Sequence, residues 1–224
     1  MSGAKNVIDM RPSKGFSPSQ GNEHLRRLDD CERAQKARWN YDPSREHLNF
    51  EVGKGGIVTE VNKFKTINQR IQEYLDSRGI VTPNKKYIDQ GLDPKYRTVV
   101  NFILGGNREV MRNLAFGNQK VDWEHGADNS DLKRMPEIES WAKDAYAFMC
   151  KKFGEQNIVA FVVHLDEANP HVHCTVLPLT EKNRFSFKKI FTKGVNTREA
   201  LVEYMDNLHT EYAEEVGLKY GMER

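Results

Sequence analysis

Three of the seven histidines in this 224-residue chain lie within ten residues of one another. His171 and His173 are two positions apart, and His164 precedes them across a short polar segment. Because side chains alternate along a β-strand, His171 and His173 would share one face, and a hairpin would bring His164 opposite them. Three neutral imidazoles are a ligand set for a catalytic divalent metal that keeps positions open for water or substrate oxygens. The spacing therefore predicts a catalytic metal site.

The connection between these histidines carries two adjacent carboxylates, Asp166 and Glu167. In a turn beside a metal, either carboxylate can orient a histidine, hold a metal-bound water or act as a base. Solvated turn carboxylates are the alternative interpretation. The three cysteines are far apart with no CxxC pair, which indicates neither a disulfide framework nor a thiolate zinc site.

Alternating strand and helix patterns must position these residues. The apolar run 157–164 and the β-rich run 171–179 predict a hairpin, residues 97–104 predict a central strand, and residues 47–52 predict a half-buried strand. Helices are predicted over 22–40, over 59–79, from Pro136 to the residue before Gly154, and after Asn196, which with Glu199 resembles a capping box. The predicted fold class is α+β, a central antiparallel sheet with a histidine-bearing hairpin and helices packed on it.

The composition, with 38% hydrophobic and 29% charged residues, is typical of an ordinary globular protein. No apolar run approaches the ~18 residues that span a bilayer, and the N-terminus lacks the apolar core of a secretory signal, so we expect a cytoplasmic protein without a membrane segment. Residues 1–22 are polar and rich in glycine and serine, which predicts a flexible N-terminal arm. We expect residues 23–224 to form a single domain.

The net charge of +2 hides an uneven distribution. Between residues 61 and 99 there are eight lysines or arginines against four acids, and between 181 and 198 there are six against one. Residues 199–224 carry seven acids and two bases. The basic segments permit local surfaces for nucleic acid that the net charge does not indicate.

The histidine segment also carries a family signature. Residues 154–173, GEQNIVAFVVHLDEANPHVH, resemble the HxDExxPHxH motif of the Mob/Pre plasmid mobilisation and recombination relaxases, members of the His-hydrophobe-His single-strand DNA nucleases. Residues 42–51 resemble a second block of that family. The segment from His24 to Arg27 resembles its HNxR motif, with Leu25 in place of the asparagine. The resemblance covers roughly residues 20–55 and 130–180.

The resemblance implies a relaxase domain that nicks one DNA strand at a plasmid transfer origin by transesterification and stays joined to the 5′ phosphate. It implies that His24 is the nucleophile, that Arg27 neutralises the phosphate, and that Glu167 orients or deprotonates His24. His164, His171 and His173 would hold the metal. Tyr41 and His47 are competing nucleophiles.

Single-stranded DNA requires a basic groove and aromatic platforms. Residues 184–193, RFSFKKIFTK, alternate these two properties and predict a DNA-facing strand or loop, although the aromatic side chains also suit a core. Base-edge contacts could come from Arg45, Asn49 or the basic 61–99 span. The expected DNA-binding residues are Arg26, Arg45, His47, Asn49, Arg184, Lys188 and Lys189.

The metal and the partners follow from the same interpretation. Imidazole ligands favour manganese, cobalt, nickel or zinc, whereas phosphate oxygens favour magnesium or manganese, so manganese is the expected ion. The expected partner is single-stranded DNA at a transfer origin. Family members run longer, and their C-terminal region implies coupling or accessory mobilisation proteins as further partners.

Three other classes of function stay open on the sequence. A rolling-circle replication initiator shares the metal hairpin but uses a tyrosine on a following helix, for which Tyr204 and Tyr212 are candidates. A non-catalytic origin-binding or autoregulatory protein would use the metal only for stability. A general hydrolase of small phosphoesters is a weaker possibility.

Overall fold

An antiparallel sheet organises the chain, for which a computed structural model describes residues 3–195 and 197–224. Within these residues the strands are β1 (Asn6–Ser13), β2 (Phe50–Gly53), β3 (Ile57–Glu60), β4 (Val99–Gly106), β5 (Ile158–His164) and β6 (His171–Val176). The helices are α1 (Pro18–His24), α2 (Asp30–Lys36), α3 (Ile67–Ser77), α4 (Lys85–Ile88), α5 (Arg108–Phe116), α6 (Pro136–Phe153), α7 (Phe187–Phe191) and α8 (Arg198–Glu215). The strand order is β1-β4-β6-β5-β2-β3, with antiparallel pairing throughout. The predicted α+β class is confirmed.

The two faces of the sheet bury different sets of side chains. On one face Phe161, Val172 and Cys174 join the main core with Trp141 of α6 and Tyr212 of α8. On the other face Val162 packs with Leu25, after α1, and with Ile67 of α3. Because partners across an antiparallel pair share a face, the pairing of Val162 with His173 places the histidines on the face covered by α1 and α3.

The ends of the long helices follow from local sequence. Helix α6 begins with Pro136 in its first turn, where a missing N–H costs nothing, and ends at Gly154, whose φ is +80°. Helix α3 begins at a capping box formed by Thr66 and Gln69. Both α6 and the β5–β6 hairpin agree with the sequence prediction.

The N-terminal segment differs from the flexible arm expected for residues 1–22. Residues 6–13 form β1, which pairs with β4 over its full length, from Asn6 opposite Gly106 to Ser13 opposite Val99. Asn6 also donates its main-chain N–H to Glu223 near the end of the chain. The polar sequence suits an edge strand, and its partner strand lies some ninety residues away, which local sequence does not reveal.

Several predicted bounds also change. The helix predicted over 22–40 is two short helices, α1 and α2, and the helix predicted over 59–79 is preceded by β3 and begins only at Ile67. The strand predicted over 47–52 begins at Phe50, after a 3-10 helix over Pro43–Leu48. The predicted strand or loop over 184–193 contains α7. Helix α8 is capped by Thr197, whereas Asn196 lies outside the described residues.

Candidate active site

The three predicted ligand histidines converge at one end of the hairpin. His164 ends β5 and pairs with His171, and His173 lies two residues further along β6. The ring centroids of His164, His171 and His173 are 4.7 to 5.4 Å apart. One ring nitrogen of each lies within 4.8 Å of the other two, an arrangement that can hold a metal ion.

Hydrogen bonds to main-chain oxygens fix two of these rings. His164 Nε2 lies 2.8 Å from the carbonyl oxygen of His24, and His171 Nδ1 lies 2.9 Å from that of Asn169. Because a carbonyl only accepts, these nitrogens carry the protons, which leaves lone pairs on His164 Nδ1 and His171 Nε2. Carbonyl-bonded imidazoles with the second nitrogen exposed to the ion are typical of metal-binding histidines.

The donor atoms themselves fit a metal ion. His164 Nδ1 is buried and has no hydrogen-bond partner, an arrangement that is costly unless the atom has another ligand. His171 Nε2 and His173 Nε2 are 2.9 Å apart, close to the roughly 3 Å expected for neighbouring ligands at right angles with bonds of about 2.1 Å. Burial lowers the pKa of His171 and lowers that of His173 strongly, so both rings are neutral, as ligation requires.

His24 stands directly beside this cluster. It ends α1, is 3% exposed, and stacks on His173 with ring centroids 4.0 Å apart and an interplanar angle of 18°. Burial, with smaller effects of His164 and Arg26, lowers the pKa of His24 to about 3. Its Nδ1 is buried without a partner. A neutral imidazole with an unused nitrogen next to a metal site has the properties of a nucleophile.

Arg26 joins the segment after α1 to the turn that carries Asp166 and Glu167, the acidic turn, by hydrogen bonds. Its guanidinium is 1% exposed and makes two hydrogen bonds to the carboxylate of Asp166, of 2.8 and 2.7 Å, and one of 2.6 Å to Glu167. Its φ of +51° lies in the left-handed region, which is uncommon for a residue with a side chain. This backbone conformation accompanies the inward direction of the arginine side chain, two residues after His24.

Two residues of the 42–51 block complete the support of the turn. The Asn49 amide donates to Asp166 and accepts from the main-chain N–H of Leu165, at 2.6 and 2.7 Å. Arg45 donates to Asp42 and to the carbonyl oxygen of Leu165, at 2.8 and 2.7 Å. Both side chains are 2% exposed. The acidic turn is therefore held from three directions by buried polar groups.

These contacts correct three predicted DNA contacts. Arg26, Arg45 and Asn49 were expected to face DNA, but each is buried and bonded within the protein. Charged and amide side chains are predicted to be exposed because burying one alone is costly. Here they are buried together and satisfy one another's hydrogen-bonding groups. They support the acidic turn. The family-like blocks marked these positions as functional candidates but did not predict this supporting role.

The remaining predicted site residues are accessible. Glu167 is part-buried, with Oε1 3.8 Å from His164 Nδ1. Burial opposes its ionisation, but contacts with the neighbouring histidines and Arg26 prevail and hold its pKa well below the ordinary range. Exposed side chains are found at Arg27, His47, Arg184, Lys188 and Lys189.

The competing tyrosine nucleophiles are placed less favourably. Tyr41 is 5% exposed, and its hydroxyl bonds Glu46 and Arg33. Burial and Glu46 raise its pKa strongly. On α8, Tyr212 belongs to the core on the face of the sheet opposite the histidines, and Tyr204 packs against it. None of these hydroxyls has the position that His24 has.

Comparisons of sequence show similarity to plasmid recombination enzymes. A family model described as plasmid recombination enzyme (Mob_Pre) matches residues 117–224. A type 3 plasmid recombination enzyme of Staphylococcus aureus is 31% identical over 184 residues, which are 82% of this chain and 35% of that protein. A plasmid recombination enzyme of Bacillus thuringiensis is 32% identical over 102 residues, 45% of this chain and 19% of that protein. The chain spans between about a fifth and a third of the length of these two relatives.

Comparison of structures agrees on the fold. A manganese-bound MobM relaxase domain (MOBV; Mob_Pre) in complex with plasmid oriT DNA superposes with a TM-score of 0.67 at 18% identity. The match covers 98% of this chain and 89% of that one. A second structure of that domain, also with manganese and oriT DNA, gives a TM-score of 0.65. Among the described residues, no helix is long and apolar enough to cross a membrane.

Proposed function

Since the chain belongs to the Mob/Pre family of plasmid recombination enzymes, we propose that it nicks one strand of DNA at a plasmid transfer origin and remains joined to the 5′ phosphate. The observation that carries the proposal is the stacking of His24 on His173 within the convergent histidine cluster. A nucleophile and a metal site adjoin there, as a transesterification requires. The two proposed steps, nicking and later rejoining, are the reaction that starts and ends plasmid mobilisation.

His164, His171 and His173 are the proposed metal ligands. A bound divalent ion would polarise the scissile phosphate and stabilise the charge that develops on it. Manganese is the proposed ion, because the MobM relaxase domain with the same fold is manganese-bound and imidazole donors accept it. Magnesium, zinc, cobalt and nickel are the alternatives for the test below.

His24 is the proposed nucleophile. The unprotonated nitrogen of its neutral ring attacks phosphorus, and the bond to the 3′ oxygen breaks. The proton lost from the other ring nitrogen balances the one that the 3′ oxygen takes up to become a hydroxyl, and the protein is linked to the 5′ phosphate through a phosphoramidate. The pKa, lowered to about 3, keeps this ring unprotonated at neutral pH. The linkage conserves the energy of the phosphodiester, so the released 3′ hydroxyl can later reverse the step.

Two neighbours are proposed to assist His24. Arg27 follows it by three residues and exposes its guanidinium, which can neutralise the phosphate. Glu167 is the proposed positioning residue of the site. Because its pKa is lowered, it stays ionised, which favours orienting and stabilising His24 over accepting its proton.

Single-stranded DNA is the proposed substrate, and it is proposed to contact the exposed side chains of His47, Arg184, Lys188 and Lys189. We propose that residues 23–224, together with β1, act as one relaxase domain. Coupling or accessory mobilisation proteins are proposed partners of the longer family members.

A nicking assay tests this function. The full chain is mixed with manganese and labelled single-stranded fragments that tile the DNA upstream of its gene, and products are resolved on denaturing gels. We expect one fragment to be cut at one position, and EDTA or His171→Ala to abolish cutting. His125→Ala removes an exposed histidine that is not one of the proposed ligands and should cut as the wild type does.

Cutting that is independent of both metal and His171 would overturn the assignment of the site. Binding of one fragment without any cutting would instead favour an origin-binding protein. Replacing manganese in turn by magnesium, zinc, cobalt and nickel ranks the ions by the rate of product formation.

A further inference from the structure

A basic and aromatic groove lies at the end of β4 far from the histidine cluster. Its lining consists of two segments that meet across it, Lys95–Arg97 and Phe185–Lys188, and it encloses about 440 Å³. Three cations and three aromatic rings line it, and no carboxylate is among the described lining residues. A groove of this composition complements a polyanion that also presents flat apolar groups.

The aromatic ring of Tyr96 is a ridge between two depressions. Tyr96 is 42% exposed and lines this groove as well as a second one of about 470 Å³, whose lining includes Lys86, Lys85 and the Asp89 carboxylate that pairs with Lys85 at 2.7 Å. Tyr87 stands 6.1 Å away, centroid to centroid. A half-exposed ring at the edge of a groove with three cations has the form of a stacking platform for a base whose phosphates lie in that groove. In the second depression Lys86 is the lysine that Asp89 does not pair.

The platform is held in place by a buried asparagine. Asn84 is 1% exposed, and its oxygen accepts the main-chain N–H groups of Lys95 and Tyr96 at 3.0 and 2.8 Å. Its amide donates to the carbonyl oxygens of Tyr96 and Lys14, each at 2.7 Å. Three of these four hydrogen bonds fix the exposed loop at Lys95 and Tyr96, and the fourth joins it to the segment after β1. Rigid presentation of exposed side chains reduces the entropy lost when a ligand binds.

The facing wall is also ordered. Phe187 stacks on Phe191, with ring centroids 4.7 Å apart, and the guanidinium carbon of Arg97 lies 4.8 Å from the centroid of the Phe187 ring. This contact joins the two walls. Arg97 keeps its charge near the opening because a ring face pairs with a cation without neutralising it.

The distance between the groove and the histidine cluster determines how many nucleotides a bound strand would need to reach both. Val99, where β4 begins, is four residues from Ile103, the partner of His173. At about 3.3 Å per residue this part of β4 spans roughly 13 Å, and Tyr96, three residues before Val99, brings the separation along the chain to at most roughly 23 Å. The span from the groove to the cluster is therefore about four to seven nucleotides at the 3.4 Å rise of a duplex strand, and fewer in an extended single strand.

We propose that this groove binds single-stranded DNA a few nucleotides from the scissile phosphate, with a base stacked on Tyr96 and phosphates against Lys95, Arg97 and Lys188. The proposal rests on the DNA-processing function above and adds to it a second anchor, in which Lys188 is joined by Lys95, Tyr96 and Arg97. A second anchor would hold the cut strand at a point that the covalent link does not reach.

Fluorescence anisotropy with labelled dT20, in EDTA, tests the groove without cleavage. Tyr96→Ala should weaken binding between about fivefold and a hundredfold, the range for loss of one stacked base, whereas Tyr96→Phe should bind as the wild type does. The double variant Lys95→Ala/Arg97→Ala should reduce the slope of log affinity against log salt by about 1.4. The charge-matched control is Lys54→Ala/Lys143→Ala, at two exposed lysines outside the groove.

The proposal is overturned if the wild type does not bind dT20, if Tyr96→Ala binds like wild type, or if the control weakens binding as much as the groove variant. The proposal is also overturned if Tyr96→Ala weakens binding of a 20-base-pair duplex as much as it weakens binding of dT20, since a duplex offers no free base to stack. These outcomes are independent of nicking, because a chain that never cuts DNA can still bind dT20 through the groove. Circular dichroism of each variant verifies that it is folded.

Discussion

The imidazole rings of His24 and His173 stack at a centroid distance of 4.0 Å, although 149 positions separate them in the chain. One ring ends a helix near the N-terminus, and the other lies on a central strand that carries two of the three convergent histidines. Both have lowered pKa values and are neutral. The contact therefore places a candidate nucleophile against a candidate metal ligand.

Metal binding should be measurable as thermal stabilisation. A ligand that binds only the folded state raises the melting temperature, so manganese should raise that of the wild type in proportion to log concentration above its dissociation constant. His171→Ala removes one of three donors and should abolish most of the shift. Differential scanning fluorimetry with and without manganese measures it.

His125→Ala, which removes an exposed histidine, serves as the control and should retain the full shift. An equal shift in the two variants would mean that the ion binds elsewhere.

Substitution of Arg26 and of Arg27 should change the free energy of unfolding by very different amounts. Arg26→Gln leaves the buried Asp166 carboxylate without its main partner, which costs about 3–5 kcal/mol of the free energy of unfolding. Arg27→Gln alters an exposed side chain and should change it by no more than about 0.5 kcal/mol. Urea denaturation followed by circular dichroism compares them. Similar losses in both would contradict the buried position of Arg26.

These two residues also mark where sequence interpretation stops. Strong local patterns predicted the histidine hairpin, β4 and α6, because apolar periodicity and turn residues lie within each segment. Neighbouring arginines carry no such pattern. Which of them turns inward depends on the positive φ of Arg26 and on Asp166, 140 positions away.

Long-range pairing explains the other differences. Strand β1 is polar and its partner β4 is distant, so the segment resembles an arm until the sheet is assembled. Arg45 and Asn49 look like DNA contacts because their side chains are polar, and only the folded chain shows that they bond the acidic turn. The convergence of three histidines was predictable, whereas the shell that supports it was not.

Acid should destabilise the metal-free protein before carboxylates titrate. The pKa values of His24, His171 and His173 are lowered in the folded state, whereas unfolded histidines titrate near 6.5. Unfolding then takes up protons below pH 6.5, so stability is complete above that pH and is lost as the pH falls, by up to about 1.4 kcal/mol per pH unit for each histidine.

Urea titrations from pH 7.5 to 5 in EDTA measure this slope. His24→Gln should reduce the slope of the free energy of unfolding against pH by up to about 1.4 kcal/mol per pH unit, the equivalent of one proton. A free energy of unfolding that rises toward pH 5 would contradict the buried neutral state of these rings.

Arg27 should matter for the reaction and not for the fold. If its guanidinium neutralises the scissile phosphate, Arg27→Gln should slow nicking by roughly tenfold or more, the equivalent of at least one charge-assisted hydrogen bond in the transition state. Arg27→Lys should recover part of the rate. Single-turnover kinetics on the cut fragment provide the measurement, and an unchanged rate in Arg27→Gln would exclude the role.

The chemistry of the covalent adduct tests the central claim most directly. The protein is incubated with manganese and the cut single-stranded fragment, the adduct is isolated and exposed to acid, and the modified residue is mapped by mass spectrometry. We predict an acid-labile phosphoramidate on His24 that is absent in His24→Ala. An acid-stable adduct on a tyrosine would contradict the account.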